Sequence, residues 1–440
     1  MDPVKILAIV IFLLIYILLI TDKFHRTIVA LWGALLFAGF PLLTKEGFKL
    51  GLLTKGDLLH YENWEALGLI FGMFTLVAAL RESGFFRWLG LTLVKWAKFD
   101  LFKLFTLFAI AAAMLSAFMD SITVLLFMAT LTIEVCGLLK VNPLPFLFLE
   151  ICSANIGGSA TMVGDPPNII IGTSYHFSFM DFVFNTGPIA LIAFFVNLAL
   201  FYFIYRKIFV ERKKIAEEAL QKHHAVDPAS AITDWKLMKI GSVVFGLVIL
   251  LMVFHHLLGL SVAFIGILGA SLVLLLGGEK MPEVLEKIDW HTLIFFACLF
   301  IMVGGLEKVG VLSDIANYIA GVSGGNPLIT VMAILWISAV ASAFVDNVPF
   351  AAAMVPIVKS LSAATGIPLA TMAWALALGT DIGGNGTPIG ASANVVGISI
   401  TEKRTGKKIS WGEYCKVAVP ATFVTMVTVS ILFYFRYLLN

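Results

Sequence analysis

Residues Asn155–Asn168 read NIGGSATMVGDPPN, and residues Asp381–Asn394 read DIGGNGTPIGASAN. Both carry a Gly-Gly pair, a threonine, a second glycine and a closing asparagine in the same places. Their neighbours match too. NWEALGLIFGMFTLVAALRESG (Asn63–Gly84) answers DWHTLIFFACLFIMVGGLEKVG (Asp289–Gly310), and SAFMDSI (Ser116–Ile122) answers SAFVDNV (Ser342–Val348). Since 290 − 64, 346 − 120 and 394 − 168 all equal 226, one gap-free shift relates all three pairs, and the chain reads as two copies of one unit.

The unit is built for a bilayer. Of 440 residues, 60% are hydrophobic and 13% charged, and the mean hydropathy is +0.98, which excludes an ordinary water-soluble domain. Runs such as Ile6–Ile20, Ile28–Leu43, Ile189–Ile204 and Val417–Phe435 approach the length a helix needs to cross the hydrocarbon. Ile6–Ile20 is read as a spanning helix rather than a signal peptide, because no small-residue cleavage site follows it. A net charge of +2 gives no sign of nucleic acid or another polyanion as partner. Cys136, Cys152, Cys298 and Cys415 stand singly, without metal-ligand or disulfide spacing, and are read as packing residues. No cofactor motif is found.

The expected fold is an all-α polytopic membrane protein. The first repeat spans 1–205, with a re-entrant hairpin near 104–138 and a broken helix near 145–171. A cytoplasmic linker, 206–236, leads to a second repeat, 237–440, with its hairpin near 327–362 and broken helix near 368–400. An odd number of crossings per unit makes the second copy inverted. Most of the 30 basic residues then fall in loops on one side, including Arg26, Arg81, Arg87, Lys95 and the linker residues. That side is the cytoplasm, and both termini lie outside.

Three places per unit break the apolar pattern. The first is the hairpin turn, Asp120-Ser121 and Asp346-Asn347. An acid at membrane depth is costly to insert and usually faces a cavity; the plain alternative is a turn at the surface with a solvated carboxylate. The second is the glycine-rich break: Gly157, Gly158, Ser159 and Thr161, then Gly383, Gly384, Asn385 and Thr387. Unwound backbone is tolerated at this depth where it lines a site, and half-helix N-termini offer N–H groups to a ligand; the plain alternative is a kink in a packed helix. The third is Asn168 and Asn394, read as caps of the second half-helix or as neutral ligand oxygens. Asn155, Asp165, Asp381 and Ser392 complete the candidate site. Asp120, Asp165, Asp346 and Asp381 fall on or beside the breaks and no Lys or Arg does, so the expected cargo is H⁺, Na⁺ or a neutral solute before a bare anion. Asp120, Ser121, Asp346 and Asn347 are the candidate ligands of a Na⁺ ion, and the matched pair Asp120 and Asp346 ranks above Asp165 for coupling.

NIGGSATMVGDPPNIIIG (155–172) and GGNGTPIGASANVVG (383–397), with SFMDF (178–182) and SWGEY (410–414), resemble the ion transporter superfamily. Within it they look most like the ArsB/NhaD group of arsenite permeases and sodium–proton antiporters, on the melanosomal P-protein branch. That resemblance implies a homodimer in which a scaffold carries a mobile transport domain, moving as an elevator. Sodium–carboxylate carriers of the superfamily have Ser-Asn-Thr at the hairpin tip, where this chain has Asp120-Ser121-Ile122 and Asp346-Asn347-Val348. Arsenite permeases lack the Gly-Asp-Pro-Pro-Asn of residues 164–168.

The expected function is secondary transport of a small ion or metalloid coupled to H⁺ or Na⁺, with Na⁺/H⁺ exchange and arsenite or antimonite efflux in the lead. The alternative is an anion channel or carboxylate carrier of the same fold. An intramembrane aspartyl protease is excluded: no Tyr-Asp occurs, and Met162 stands where Gly-x-Gly-Asp needs its first glycine. The chain is not an enzyme. Its place is the plasma membrane if the source is prokaryotic.

Overall fold

The computed structural model describes residues 2–21, 24–39, 53, 55–211 and 227–439, and its regular structure is entirely helical. The first half contributes α1 (Pro3–Thr21), α2 (Arg26–Gly39), α3 (Lys55–Tyr61), α4 (Trp64–Glu82), α5 (Phe85–Ala97), α6 (Leu101–Ser116), α7 (Ser121–Leu138), α8 (Leu144–Gly158), α9 (Pro166–Tyr175) and α10 (Phe179–Glu211). The second contributes α11 (Trp235–Leu258), α12 (Val262–Leu276), α13 (Met281–Glu286), α14 (Trp290–Lys308), α15 (Val311–Ser323), α16 (Pro327–Phe344), α17 (Asn347–Thr365), α18 (Leu369–Gly383), α19 (Ser392–Thr405) and α20 (Trp411–Tyr437). Among the described residues, 8 helices are long and apolar enough to cross a membrane: α4, α7, α10, α11, α14, α16, α17 and α20. Their outward side chains, such as Val243 and Leu257, are exposed and apolar, as a lipid-facing surface requires.

Helix starts follow from local chemistry. Asn63 and Asp289 cap α4 and α14 by accepting from the N–H groups of Ala66 and Thr292. Asp100 and Asn326 do the same for α6 and α16. Residues 84–100, whose basic residues the charge count assigns to a loop, hold helix α5, and residues 310–326 hold α15. In α5 the buried set Phe86, Gly90, Leu93, Val94 and Ala97 recurs at helical spacing, so the helix is amphipathic and its basic residues occupy the outer face. Of the linker, α10 takes up the beginning to Glu211, residues 212–226 lie outside the described residues, and a 3-10 turn at Pro228–Ala231 leads into α11.

The halves exchange partners. α4 packs on α12 and α14 on α2, while α7 packs on α19 and α17 on α9. Small residues permit the closest crossings: a Cβ on Gly72 would stand 2.2 Å from the backbone of Gly266, and one on Gly383 2.2 Å from the Cα of Ala339. One bundle is built from α1, α2, α4, α11, α12 and α14, and another from α6–α10 and α16–α20. Between them run α5, touching α4, α6 and α7, and α15, touching α14, α16 and α17. The bundles also meet directly where α4 rests on α9 and α14 on α17.

Candidate functional site

The two breaks share one construction. α8 ends at Gly158 and α9 starts at Pro166, whose missing N–H costs nothing in a first turn. Asn168 Nδ2 donates to the carbonyls of Gly158 and Thr161, both at 3.0 Å. Asn394 Nδ2 donates to those of Gly384 and Thr387, at 2.8 and 2.9 Å. These asparagines therefore do not cap the half-helices; Asp165 and Ala391 hold the capping positions, and the amides satisfy carbonyls that the break strands. Thr161 and Thr387 tie each break to its hairpin by donating to the Ala117 and Ala343 carbonyls. Gly157 and Gly383 lie in the last turns of α8 and α18, packed on Ala113 and Ala339, so they serve helix contact rather than the break itself. The glycines the break requires are Gly164 and Gly390, whose Cβ atoms would each fall 2.4 Å from the carbonyl oxygens of Gly158 and Gly384.

The hairpin tips converge on the first break. Asp120 caps α7, accepting from Thr123 N at 2.8 Å, and Asp346 caps α17, accepting from Val348 N at 3.2 Å. The following residues turn inward: Ser121 Oγ donates to Asp165 Oδ1 at 2.7 Å, and Asn347 Nδ2 donates to Asp165 Oδ2 at 2.6 Å. Asp165, ranked below the hairpin acids on sequence, is thus the one carboxylate that receives a donor from each tip, and it is buried.

A basic residue does stand beside these acids. Arg26, opening α2, places Nη1 2.6 Å from Asp346 Oδ2 and 2.7 Å from Ser392 Oγ, and Ser392 itself donates to Asp346. By sequence it reads as a loop charge, since its partner lies 320 residues further along the chain. The only sequence signal was a lone arginine at the head of an apolar run. Asp120, Ser121, Asp346 and Asn347 consequently do not form one ligand set, since the two amide and hydroxyl groups point at Asp165 and Asp346 faces Arg26. Among the described residues no group of three or more His, Cys, Asp or Glu side chains could hold a metal.

Both tips open on one cavity of about 380 Å³. Its wall includes Asp120, Asp346, Pro166 and Ser392, together with His25, Arg26, Asp289 and His291. The N-termini of α2, α7, α9, α14, α17 and α19 therefore border the same space, and each brings partial positive charge, although α9, opening on Pro166 and Pro167, offers no N–H at its first two positions. A second cavity of about 380 Å³ lies further along the same α14 and α17, lined by Phe300, Val303, Glu307, Val355 and Lys359, with Glu62, Asn63, Thr173 and His176.

Burial pushes the Glu62 carboxyl, at the mouth of the second cavity ahead of α4, up to about 7 from an ordinary 4.5. A raised carboxyl stabilises the fold while it keeps its proton, and that contribution fades as pH rises through the interval between the two values. Thermal unfolding in detergent is expected to show wild-type stability falling from pH 4.5 to about 7, a fall that Glu62→Gln makes shallower.

Comparison with known proteins follows the same lines. The chain is 35% identical over 435 residues to an uncharacterized transporter of Mycobacterium tuberculosis, covering 98% of this chain and 99% of that one. It is 29% identical to the human P protein over 489 residues, covering 93% of this chain and 57% of that longer protein. Among solved structures, the Alcanivorax borkumensis YdaH transporter superposes with a TM-score of 0.59 at 15% identity, over 93% of this chain and 97% of that one. MtrF of Neisseria gonorrhoeae, described as illuminating a class of antimetabolite efflux pumps, gives 0.51 at 16% identity over 96% and 95%. The fold is shared with these multi-pass membrane transporters, and a transporter rather than an enzyme is what the likenesses describe. With its residues 16–379 matching the pattern of the citrate transporter family, CitMHS, the chain belongs to that family.

Proposed function

We propose that this chain is a secondary active transporter that carries a small anion of the carboxylate class, coupled to a monovalent cation. The observation that carries the reading is the pair of cavities at two levels of one interface, the first of them bordered by both hairpin tips and by the N-termini of both half-helices. Six helix N-termini, Arg26 and two histidines favour an anion there, and Asp120, Asp289 and Asp346 limit how much negative charge it brings. In this reading the halves 1–205 and 237–440 are inverted repeats around a cytoplasmic linker, 206–236. The bundle of α6–α10 and α16–α20 moves as an elevator past the other, with α5 and α15 as its connecting arms, and the working unit is a homodimer. Citrate is the first probe because the family is described by it.

A second reading, Na⁺/H⁺ exchange or arsenite and antimonite efflux, is favoured by the buried carboxylates behind the tips, Asp165 and Asp381. Counterflow separates these readings. Proteoliposomes loaded with unlabelled citrate are expected to accumulate labelled citrate transiently with no ion gradient, which a channel does not do. Absence of citrate counterflow together with dye-reported proton movement on adding Na⁺, Li⁺, arsenite or antimonite would transfer the assignment to the second reading.

A further inference from the structure

Behind the cavity the halves meet in a layer whose two sides match in shape but not in chemistry. Asn155, on α8, reaches into the second break: its Nδ2 donates to Asn385 Oδ1 at 2.8 Å and to Asn394 Oδ1 at 2.9 Å. The residue 226 positions later, on α18, is Asp381, and it faces Asp165 and Asn168 of the first break. On that side the groups matching Asn385 and Asn394 have no hydrogen left to give, although the Ser116 hydroxyl beside Gly158 is itself without an acceptor. Asn168 commits its amide hydrogens to two break carbonyls, Ser159 donates to the Ile156 carbonyl at 2.7 Å, and Asp165 offers only acceptor oxygens. Among the described residues neither oxygen of Asp381 receives a hydrogen bond, nor does Oδ1 of Asn168. Asp381 and Asn168 are 0% exposed and Asp165 is 2% exposed, so bulk solvent does not reach the pair.

A carboxylate only accepts, whereas a protonated carboxyl also donates, and two carboxyl groups facing each other away from water are joined by a proton between them. We propose that Asp165 and Asp381 share one exchangeable proton, and that this proton is the coupling ion of the transport cycle. The coupling role rests on the transporter reading above; the proton site does not. Asp165 links the pair to the cavity, because Ser121 and Asn347 at the two hairpin tips both donate to it. Losing the proton leaves two negative charges pulling on those tips, which is a physical route from proton occupancy to hairpin position. The other ionisable groups around the pair are Asp120 and Asp346 at the tips, the latter held by Arg26, with Glu150 and Cys152 on α8 and Tyr414 on α20. A sodium ion would also suit a set of acceptors, but two buried carboxylates that face each other repel until one proton joins them, which favours the proton.

The test begins without a substrate. Infrared spectra of the purified protein at neutral pH should show a protonated-carboxyl stretch that Asp381→Asn loses. That variant installs the residue its counterpart Asn155 already uses, so folding is expected to survive, and retained size-exclusion behaviour checks it. An unchanged spectrum overturns the shared proton, as does a Na⁺-dependent rise in melting temperature that Asp381→Asn abolishes. In proteoliposomes, Asp381→Asn should reduce pH-gradient-driven citrate accumulation by roughly tenfold more than citrate–citrate exchange, an ordinary coupling energy. Equal loss of both overturns the coupling role. Loss of the infrared band in Asp381→Asn, with a wild-type protein that moves no citrate, leaves the proton site standing and removes the citrate reading instead.

Discussion

Arg26→Gln is expected to lower citrate uptake by about a hundredfold, equivalent to roughly 2.8 kcal/mol of lost interaction at tenfold per 1.4 kcal/mol. The guanidinium is the basic group at the hairpin-two tip, where it touches both Asp346 and Ser392 and borders the cavity. Its removal takes positive charge from the space where a carboxylate would bind, and leaves Asp346 without its ion partner. The pair is mostly shielded, with side-chain exposures of 29% and 15%, so the variant should also lose about 2 kcal/mol of stability. The double variant Arg26→Gln with Asp346→Asn separates these effects: melting temperature should recover and uptake should not. Uptake recovering with stability would reduce Arg26 to a structural counter-ion. Arg26→Lys should fall between, because an ammonium keeps the charge but does not present the same planar set of donors.

Gly164→Ala is expected to disable transport and to destabilise the chain by about 1–3 kcal/mol or more, the range for overpacking a filled interior. The added Cβ would lie 2.4 Å from the Gly158 oxygen and 2.7 Å from that of Ser116. Both are backbone atoms, so no side chain can swing away to make room, and relief requires moving the break that positions Asp165. Gly390→Ala should behave alike, its Cβ falling 2.4 Å from the Gly384 oxygen and 2.8 Å from that of Ser342. Gly246→Ala, inside α11 with nothing within 4 Å, is the control and should be neutral or slightly stabilising. Melting temperatures and citrate uptake of the three variants decide the matter: equal tolerance at all three positions would show that the break yields easily.

The legible features were those the chain states twice. The hairpins at Asp120 and Asp346, the breaks and their closing asparagines stand out because one shift of 226 brings them into register. The same comparison hid what is stated once. Arg26 opens α2 where Val262 opens α12, so the repeat gave it no echo, and its ion partner is remote in sequence. Asp165 was discounted because its counterpart is Ala391, yet its carboxylate is where the two tips meet. α5 is obscured differently: counting Arg87 and Lys95 as loop charges takes no notice that the apolar residues between them recur at helical spacing. Asn168 and Asn394 were found, but a residue type that both caps helices and bonds stray carbonyls does not disclose which it does until the carbonyls are in place.

The exchange of helix partners between the halves also bears on how the protein is made. When the ribosome has finished α10, α4 still lacks α12, α7 lacks α19, and Asp165 has a donor from Ser121 but none from Asn347. The first half must wait in the bilayer with its polar interior half-assembled until the second is inserted. Biogenesis therefore depends on the later helices arriving, and the early ones are natural clients for whatever shields unfinished membrane segments.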